Sequence, residues 1–240
     1  MRKNPDKSLP AERIDIIKAV IFDMYETLIT LFGSPFYFVR QMASDADVEE
    51  EKFREIWRAA ETDRTIGKMT LEEVLDKILK TNNCYSEAKR DLIVSKRIRN
   101  REEVFGHLHK DIIPMIRGLK EKGLRIGLIS NCFLEEATVI KKSILYPYFN
   151  AVCLSCDERV KKPDFAIYKK CLEKLNVQAG DCLYVGDGGS DELEAAQMAG
   201  MAAGQAVWYL KEGKDWPSKR KTAFPQLETP LDVLAILSAP

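Results

Sequence analysis

Short apolar runs recur along this chain, and each stops at a polar or glycine-rich turn that opens a helical pattern. They are AVIF at 19–22 before Asp23, RIGLI at 125–129 before Ser130, AVCL at 151–154 before Ser155, and CLYV at 182–185 before Gly186. AVWYL at 206–210 is a fifth. Runs this short and this apolar behave as strands buried on both faces, and the helical stretches between them supply the crossovers that parallel strands require. The pattern predicts an α/β fold, a doubly wound parallel sheet with helices on both sides.

One interval breaks the alternation. Between the first run and the second, no strand-like run occurs; PFYFVRQMAS, VEEEKFREIWRAAET, TLEEVLDKILKT and SEAKRDLIVSKRIRNREEVFGHL carry apolar residues at three- and four-residue spacing instead. Thr70 followed by Glu73 has the form of a capping box and marks a helix start. An interval this long exceeds a simple crossover, so residues 33–108 are expected to form an inserted helical subdomain. The α/β core then comprises 14–32 and 109–240, with 1–13 as a flexible amino terminus. DIIPMIRGLKEK at 111–122 is expected to be a helix ended by Gly123, and the polar, proline-containing tail from 211 to 229 a surface loop before a last helix at LDVLAILS.

Composition removes several functional classes. The 37 basic and 37 acidic side chains cancel, which leaves none of the basic surplus of a nucleic-acid binder beyond runs such as Lys219, Arg220 and Lys221. An apolar fraction of 45% with no net charge is not that of a disordered chain. No run is long enough to span a bilayer and the first residues are polar, so no membrane partner is expected and the cytoplasm is the expected compartment. The six cysteines are too sparse for a disulfide scaffold and are read as reduced, mostly buried thiols. Cys153 and Cys156 have redox or zinc half-site spacing, but no second pair or histidine lies near them.

Four polar sites fall at or beyond the ends of predicted strands, where open parallel sheets place ligands. They are Asp23 with Thr27 behind it, Ser130 with Asn131, Lys162 before Pro163, and the loop Gly186-Asp187-Gly188-Gly189-Ser190-Asp191. Any one of them alone could be ordinary turn chemistry. In this order, and with the extended stretches ISNC, KKPDFAIYKKCLEKLNV and CLYVGDGGSDELEAAQMAGM, the set resembles the haloacid dehalogenase superfamily of hydrolases, most of whose members are phosphatases. The 33–108 interval is similar in pattern to that family's helical cap.

The resemblance implies a Rossmann-like core, an Asp23 nucleophile, and a Lys162 that pairs with Asp23 and the transferring group. The Ser130 hydroxyl and nearby backbone amides would hold phosphoryl oxygens, and Thr27 and Asn131 would bind substrate. It further implies a magnesium ion on the Asp23 carboxylate, the Tyr25 main-chain carbonyl, Asp187, and waters held partly by Asp191. Elementary electrostatics agrees, because a carboxylate attacking a phosphate dianion needs a cation and an ammonium to reverse the like-charge repulsion. The implied partner is a small phosphorylated metabolite, and the implied assembly a monomer or a homodimer.

Tyr25 departs from the family pattern. Phosphatases of the family usually carry there a second Asp that protonates the leaving alcohol, whereas a tyrosine is found in the metal-free 2-haloacid dehalogenases. Trp57 and Arg58, in IWRAA, are similar to the aromatic and arginine surroundings of a halide site, and Arg58 is a candidate substrate ligand. Retaining Asp187 and Asp191 without a cation would place repulsive charge beside the nucleophile. Metal-dependent phosphoryl transfer therefore leads. Dehalogenation and a non-catalytic phosphate-binding module stand as alternatives.

Overall fold

A computed structural model describes residues 17–33, 35–211 and 218–237. Six strands, β1 (Ala19–Phe22), β2 (Arg125–Ser130), β3 (Ala151–Leu154), β4 (Cys182–Gly186), β5 (Ala202–Ala206) and β6 (Gln226–Leu227), form one sheet in the order β3-β2-β1-β4-β5-β6. Every neighbouring pair is parallel. The expected doubly wound architecture is the one observed. The chain begins at the sheet centre, builds outward through β2 and β3, then returns to the other side of β1. That reversal leaves a crevice at the carboxyl ends of β1 and β4, which is where such sheets bind ligands.

Because successive strand residues face opposite ways, β1 feeds two cores. Val20 and Phe22 pack with Ile112, Met115, Ile116 and Leu119 of α6 (Ile112–Glu121), and with Ala137, Val139 and Ile140 of α7 (Leu134–Lys142). Ala19 and Ile21 pack on the other face with Ile167, Tyr168 and Cys171 of α9 (Phe165–Leu175) and with Leu193 and Ala196 of α10 (Glu192–Met198). Each fully buried Ile or Leu in these layers contributes about 1.5–3 kcal/mol. Their sum holds β1 in the centre and fixes the height at which Asp23 emerges.

Between β1 and β2 the chain forms α1 (Val39–Ala46), α2 (Glu50–Ala59), α3 (Glu61–Thr65), α4 (Leu71–Thr81) and α5 (Glu87–Glu103). They share a core of their own, in which Leu71, Val74, Leu75, Ile78 and Leu79 of α4 meet Met42, Phe53, Trp57 and Ile93. The Thr70 capping box forms in both directions, with Glu73 N–H donating to Thr70 Oγ1 at 3.1 Å and Thr70 N–H to Glu73 Oε2 at 2.7 Å.

The helical insertion meets α7 through Phe133, which packs against Trp57, and through a cluster of buried ion pairs. The buried face of α5 carries Arg97 and Arg101. Arg97 Nε reaches Glu135 Oε1 at 2.9 Å, and Glu136 Oε1 accepts from Arg97 Nη2 at 2.9 Å and Arg101 Nε at 3.0 Å. Arg64 donates to Glu135 at 2.6 Å, with its guanidinium 4.0 Å from the Trp57 ring centre and 3.8 Å from that of Phe133. Such pairs add little net stability over an apolar seam, but they fix the register of the two surfaces.

Two expectations on the carboxyl-terminal side are corrected. The strand lies at 202–206, upstream of the aromatic run at 206–210, because the sheet there accepts only small side chains. A Cβ on Gly204 would already meet Leu227 at 3.1 Å. Trp208 and Tyr209 carry polar groups that bond outside the sheet instead: Trp208 Nε1 donates to Thr27 O at 2.8 Å, and Tyr209 Oη accepts from His109 N at 2.8 Å. The tail read as loop contains β6, a strand too short to show a period. Residues 1–13, read as a flexible terminus, lie outside the described residues, as does the tail segment 212–217. Among the described residues no helix is long and apolar enough to cross a membrane.

Candidate active site

Asp23 is the first residue past β1, and its N–H still donates to Val185 O of β4 at 2.9 Å, so the carboxylate projects from the carboxyl end of the sheet. Lys162 Nζ bonds Asp23 Oδ1. The lysine is aimed by Asn131, whose Oδ1 accepts from Lys162 N at 2.8 Å and whose Nδ2 donates to Lys162 O at 3.1 Å. Asn131, expected to bind substrate, thus spends its side chain on the backbone of the lysine loop while lining the cavity.

A second carboxylate bonds the Lys162 ammonium, and it belongs to Glu192. Glu192 is 1% exposed, accepts from Tyr184 Oη at 2.9 Å and from Gly188 N at 3.1 Å, and lies with Asp23 and Asp187 so that one oxygen of each falls within 4.8 Å of the others. This corrects the expectation placed on Asp191, whose side chain is 82% exposed and 3.5 Å from Lys221 Nζ. Ser190 and Asp191 both take positive φ, at 53° and 48°, so the loop turns one residue further than a plain glycine turn. α10 therefore starts at Glu192, whose side chain points inward.

Gly186 makes room for that side chain. A Cβ at Gly186 would stand 2.1 Å from Glu192 Oε1 and 2.6 Å from its Cδ. Gly186→Ala is therefore expected to displace the Glu192 carboxylate and to cost about 1–3 kcal/mol, as overpacking does. A urea titration checks this, and an unchanged midpoint would refute it.

Asp187 Oδ1 accepts from Gly189 N at 3.0 Å, and Oδ2 accepts from Ser218 Oγ. Gln205 Nε2 holds the Asp187 carbonyl at 2.7 Å. Neither Ser218 nor Gln205 stands in a recognisable motif: the pairing of β5 with β4 sets Gln205 opposite Gly186, and the folded tail brings Ser218 to the site.

Charge is out of balance here. Burial, reinforced by Glu192 and Asp187 and opposed by Lys162, pushes the Asp23 carboxyl up to about 8. Burial and then Glu192 push Asp187 up to about 6. Burial pulls the Lys162 ammonium down, but Asp23 and Glu192 overcome it and hold it above the ordinary lysine range. Three buried carboxylates facing one ammonium form an all-oxygen donor set with surplus negative charge, which suits a hard divalent cation such as magnesium. Beside it, Thr27 and Ser130 are fully buried, and their hydroxyl oxygens have no hydrogen-bond partner. Buried hydroxyls left unspent are costly, and an anionic ligand with several acceptor oxygens would satisfy them.

A cavity of about 440 Å³ opens over Lys162, walled by Tyr25, Asn131, Cys132, Phe133 and Glu136, with Glu61 and Thr65 of the helical insertion opposite. Burial and the Glu136 carboxylate hold the Tyr25 phenol well above the ordinary tyrosine value, so it stays protonated and is no base at neutral pH. Glu26 does not substitute for the missing Asp, because its carboxylate is occupied by Thr30 Oγ1 at 2.7 Å and Leu31 N at 2.9 Å. Arg58 is exposed and absent from the cavity wall, which corrects its expected role as a substrate ligand. It lies one helical step, about 100°, from the buried Trp57, on the outer side of α2.

A family model described as haloacid dehalogenase-like hydrolase matches residues 17–200. Human N-acylneuraminate-9-phosphatase is 32% identical over 107 residues, 44% of this chain and 42% of that protein. The chain thus matches less than half the length of those phosphatases. Glyceraldehyde 3-phosphate phosphatase of Methanopyrus kandleri is 25% identical over 203 residues, 78% of this chain and 82% of that one. Among solved structures, a 2-haloacid dehalogenase from Pseudomonas syringae superposes with a TM-score of 0.67 at 20% identity, covering 92% of this chain and 98% of that one; at that identity the likeness is one of fold.

Proposed function

We propose, since the chain belongs to the haloacid dehalogenase-like hydrolase family, that it is a magnesium-dependent phosphatase of small phosphorylated metabolites acting through Asp23. The observation that carries this reading is the buried triad of Asp23, Asp187 and Glu192 around a single lysine. Displacement of halide from carbon needs no such surplus of carboxylates. The names of the human and Methanopyrus relatives point the same way.

Asp23, Asp187 and Glu192 would hold the magnesium, which supplies positive charge against the phosphoryl oxygens. Asp23 attacks phosphorus, the bond to the leaving oxygen breaks, and water then hydrolyses the aspartyl-phosphate to return the carboxylate. Lys162 aims Asp23 and, together with the cation, would favour its ionised form against the effect of burial, and the Ser130 and Thr27 hydroxyls donate to phosphoryl oxygens. The cavity receives the organic part of the substrate, with the helical insertion over it as a cap.

Tyr25 favours the second reading, attack on carbon with departure of halide. A paired assay decides between them: p-nitrophenyl phosphate with and without magnesium, beside chloride release from 2-chloropropionate. Magnesium-dependent nitrophenol release with no chloride supports phosphatase action; metal-independent chloride release alone reverses the assignment, and silence in both leaves a phosphate-binding module. Tyr25→Asp restores an acid and base at the family position, and general acid–base catalysis contributes about 10²–10⁴-fold. The variant is expected to hydrolyse alkyl phosphates faster within that range. A slower rate would mean that Tyr25 serves another chemistry.

A further inference from the structure

The thiols do not pair as their spacing in the sequence suggests. Cys153 and Cys156 flank the end of β3 and enter opposite cores, Cys153 with Cys171 and Cys156 with Cys132. The sulfurs of Cys132 and Cys156 stand 3.9 Å apart in a contact whose proton either can carry. Both residues are buried, yet Cys132 is part of the wall of the 440 Å³ cavity. The contact with Cys156, burial and the Glu136 carboxylate hold the proton on Cys132, and the same contact favours the thiolate on Cys156, so the inner sulfur can take the proton of the cavity-side one.

Three segments meet at this pair. Ser155 Oγ accepts from Cys132 N at 3.0 Å and lies 2.7 Å from Thr65 O of the helical insertion. Gly67 sits so close to Cys156 that an added Cβ would fall 2.3 Å from its carbonyl oxygen. On the other side, Asn131 adjoins Cys132 and holds Lys162.

We propose that Cys132 and Cys156 form an oxidation site, reached by small hydroperoxides through the catalytic cavity, whose disulfide slows turnover by moving the loop that positions Lys162. The Cys132 sulfur attacks a peroxide oxygen as its proton passes to the Cys156 thiolate 3.9 Å away, the O–O bond breaks, the leaving oxygen takes a proton from water and departs as water or the corresponding alcohol, and Cys132 is left as a sulfenic acid. The Cys156 sulfur then attacks the sulfenic sulfur and water leaves. Two thiols lose two electrons in all, and one hydroperoxide is reduced. Closing the gap from 3.9 Å to a bond of about 2.05 Å draws Cys132 toward α8 (Ser155–Glu158). Displacement of a positioned group on this scale lowers rates about ten- to a hundredfold.

The test treats the full magnesium-loaded chain with hydrogen peroxide, alkylates the remaining thiols, and maps the digest. The expected result is a peptide joining Cys132 to Cys156, absent from Cys156→Ser and retained in Cys153→Ser, with p-nitrophenyl phosphate turnover down about tenfold or more and restored by dithiothreitol. A Cys132 sulfinate without the link, a Cys153–Cys171 link in its place, or a Cys132–Cys156 link with turnover intact would each overturn the proposal. If the reduced chain has no turnover, the phosphatase reading fails by itself, and the linked peptide still decides whether the oxidation site exists.

Discussion

Asp23→Asn is expected to lower magnesium-dependent turnover of p-nitrophenyl phosphate by about 10⁴-fold or more while leaving the chain as stable as before, or more stable. The two halves of that result have one cause. The carboxylate bonds the Lys162 ammonium from the carboxyl end of β1, and an amide of the same shape cannot form the acyl phosphate; loss of a covalent nucleophile removes a whole pathway. Stability responds the other way because Asp23 is one of three buried carboxylates near one ammonium, and burial already pushes its carboxyl up to about 8. Removing that carboxyl removes the cost of burying an ionisable group beside two other carboxylates and leaves Lys162 paired with Glu192. Stopped assays and a urea titration read the two effects separately. Residual turnover above a tenth of the parent rate would place the nucleophile elsewhere.

Lys162→Met is expected to abolish turnover as well, but with the opposite effect on folding. It removes the ammonium shared by Asp23 and Glu192 and leaves buried carboxylates without a cation. Breaking a buried ionic arrangement from one side costs about 3–5 kcal/mol. The sign of its pH dependence follows. Carboxyls whose folded-state pKa is raised hold protons that the unfolded chain has released, so stability falls as pH rises above the unfolded value and returns as pH is lowered. Without metal, the variant should therefore unfold at lower urea than the parent near pH 7.5, and the gap should narrow near about pH 5. A gap that widens in acid would mean that the carboxylates are not what the lysine neutralises.

Some of this molecule was plain in its residues. β1 through β4 coincide with apolar runs because strands buried on both faces have no room for polar residues, and Thr70 with Glu73 marked a helix start by a bond that needs only local chain. β5 escaped notice because its sheet position requires small residues, and AAGQA has no apolar signature. Asp23 and Ser130 stand out because they sit at strand ends, and Lys162 because it precedes a proline in a loop beyond β3. Glu192 was missed in favour of Asp191 because four-residue spacing counts positions, whereas two successive positive φ angles decide which carboxylate turns inward. In the insertion, Arg58 drew attention beside Trp57, but the arginines that matter to packing are Arg64, Arg97 and Arg101. Their partners Glu135 and Glu136 are at least 35 residues away in the chain, out of reach of any local pattern.

The order of strands also governs how the protein comes into being at the ribosome. β1 is made first and lies at the centre of the sheet, yet its neighbours are β2 and β4, and the bond between Asp23 and Lys162 spans 139 positions. While the helical insertion can assemble from contacts close in sequence, the wholly apolar first strand has no partner until β2 is made at 125–130, and its second neighbour, β4, follows only at 182–186. Loop closures of that length are slow, and a bare strand invites aggregation. Early production of Asp23 and late completion of its surroundings make the nascent chain, rather than the finished protein, the stage most exposed to failure.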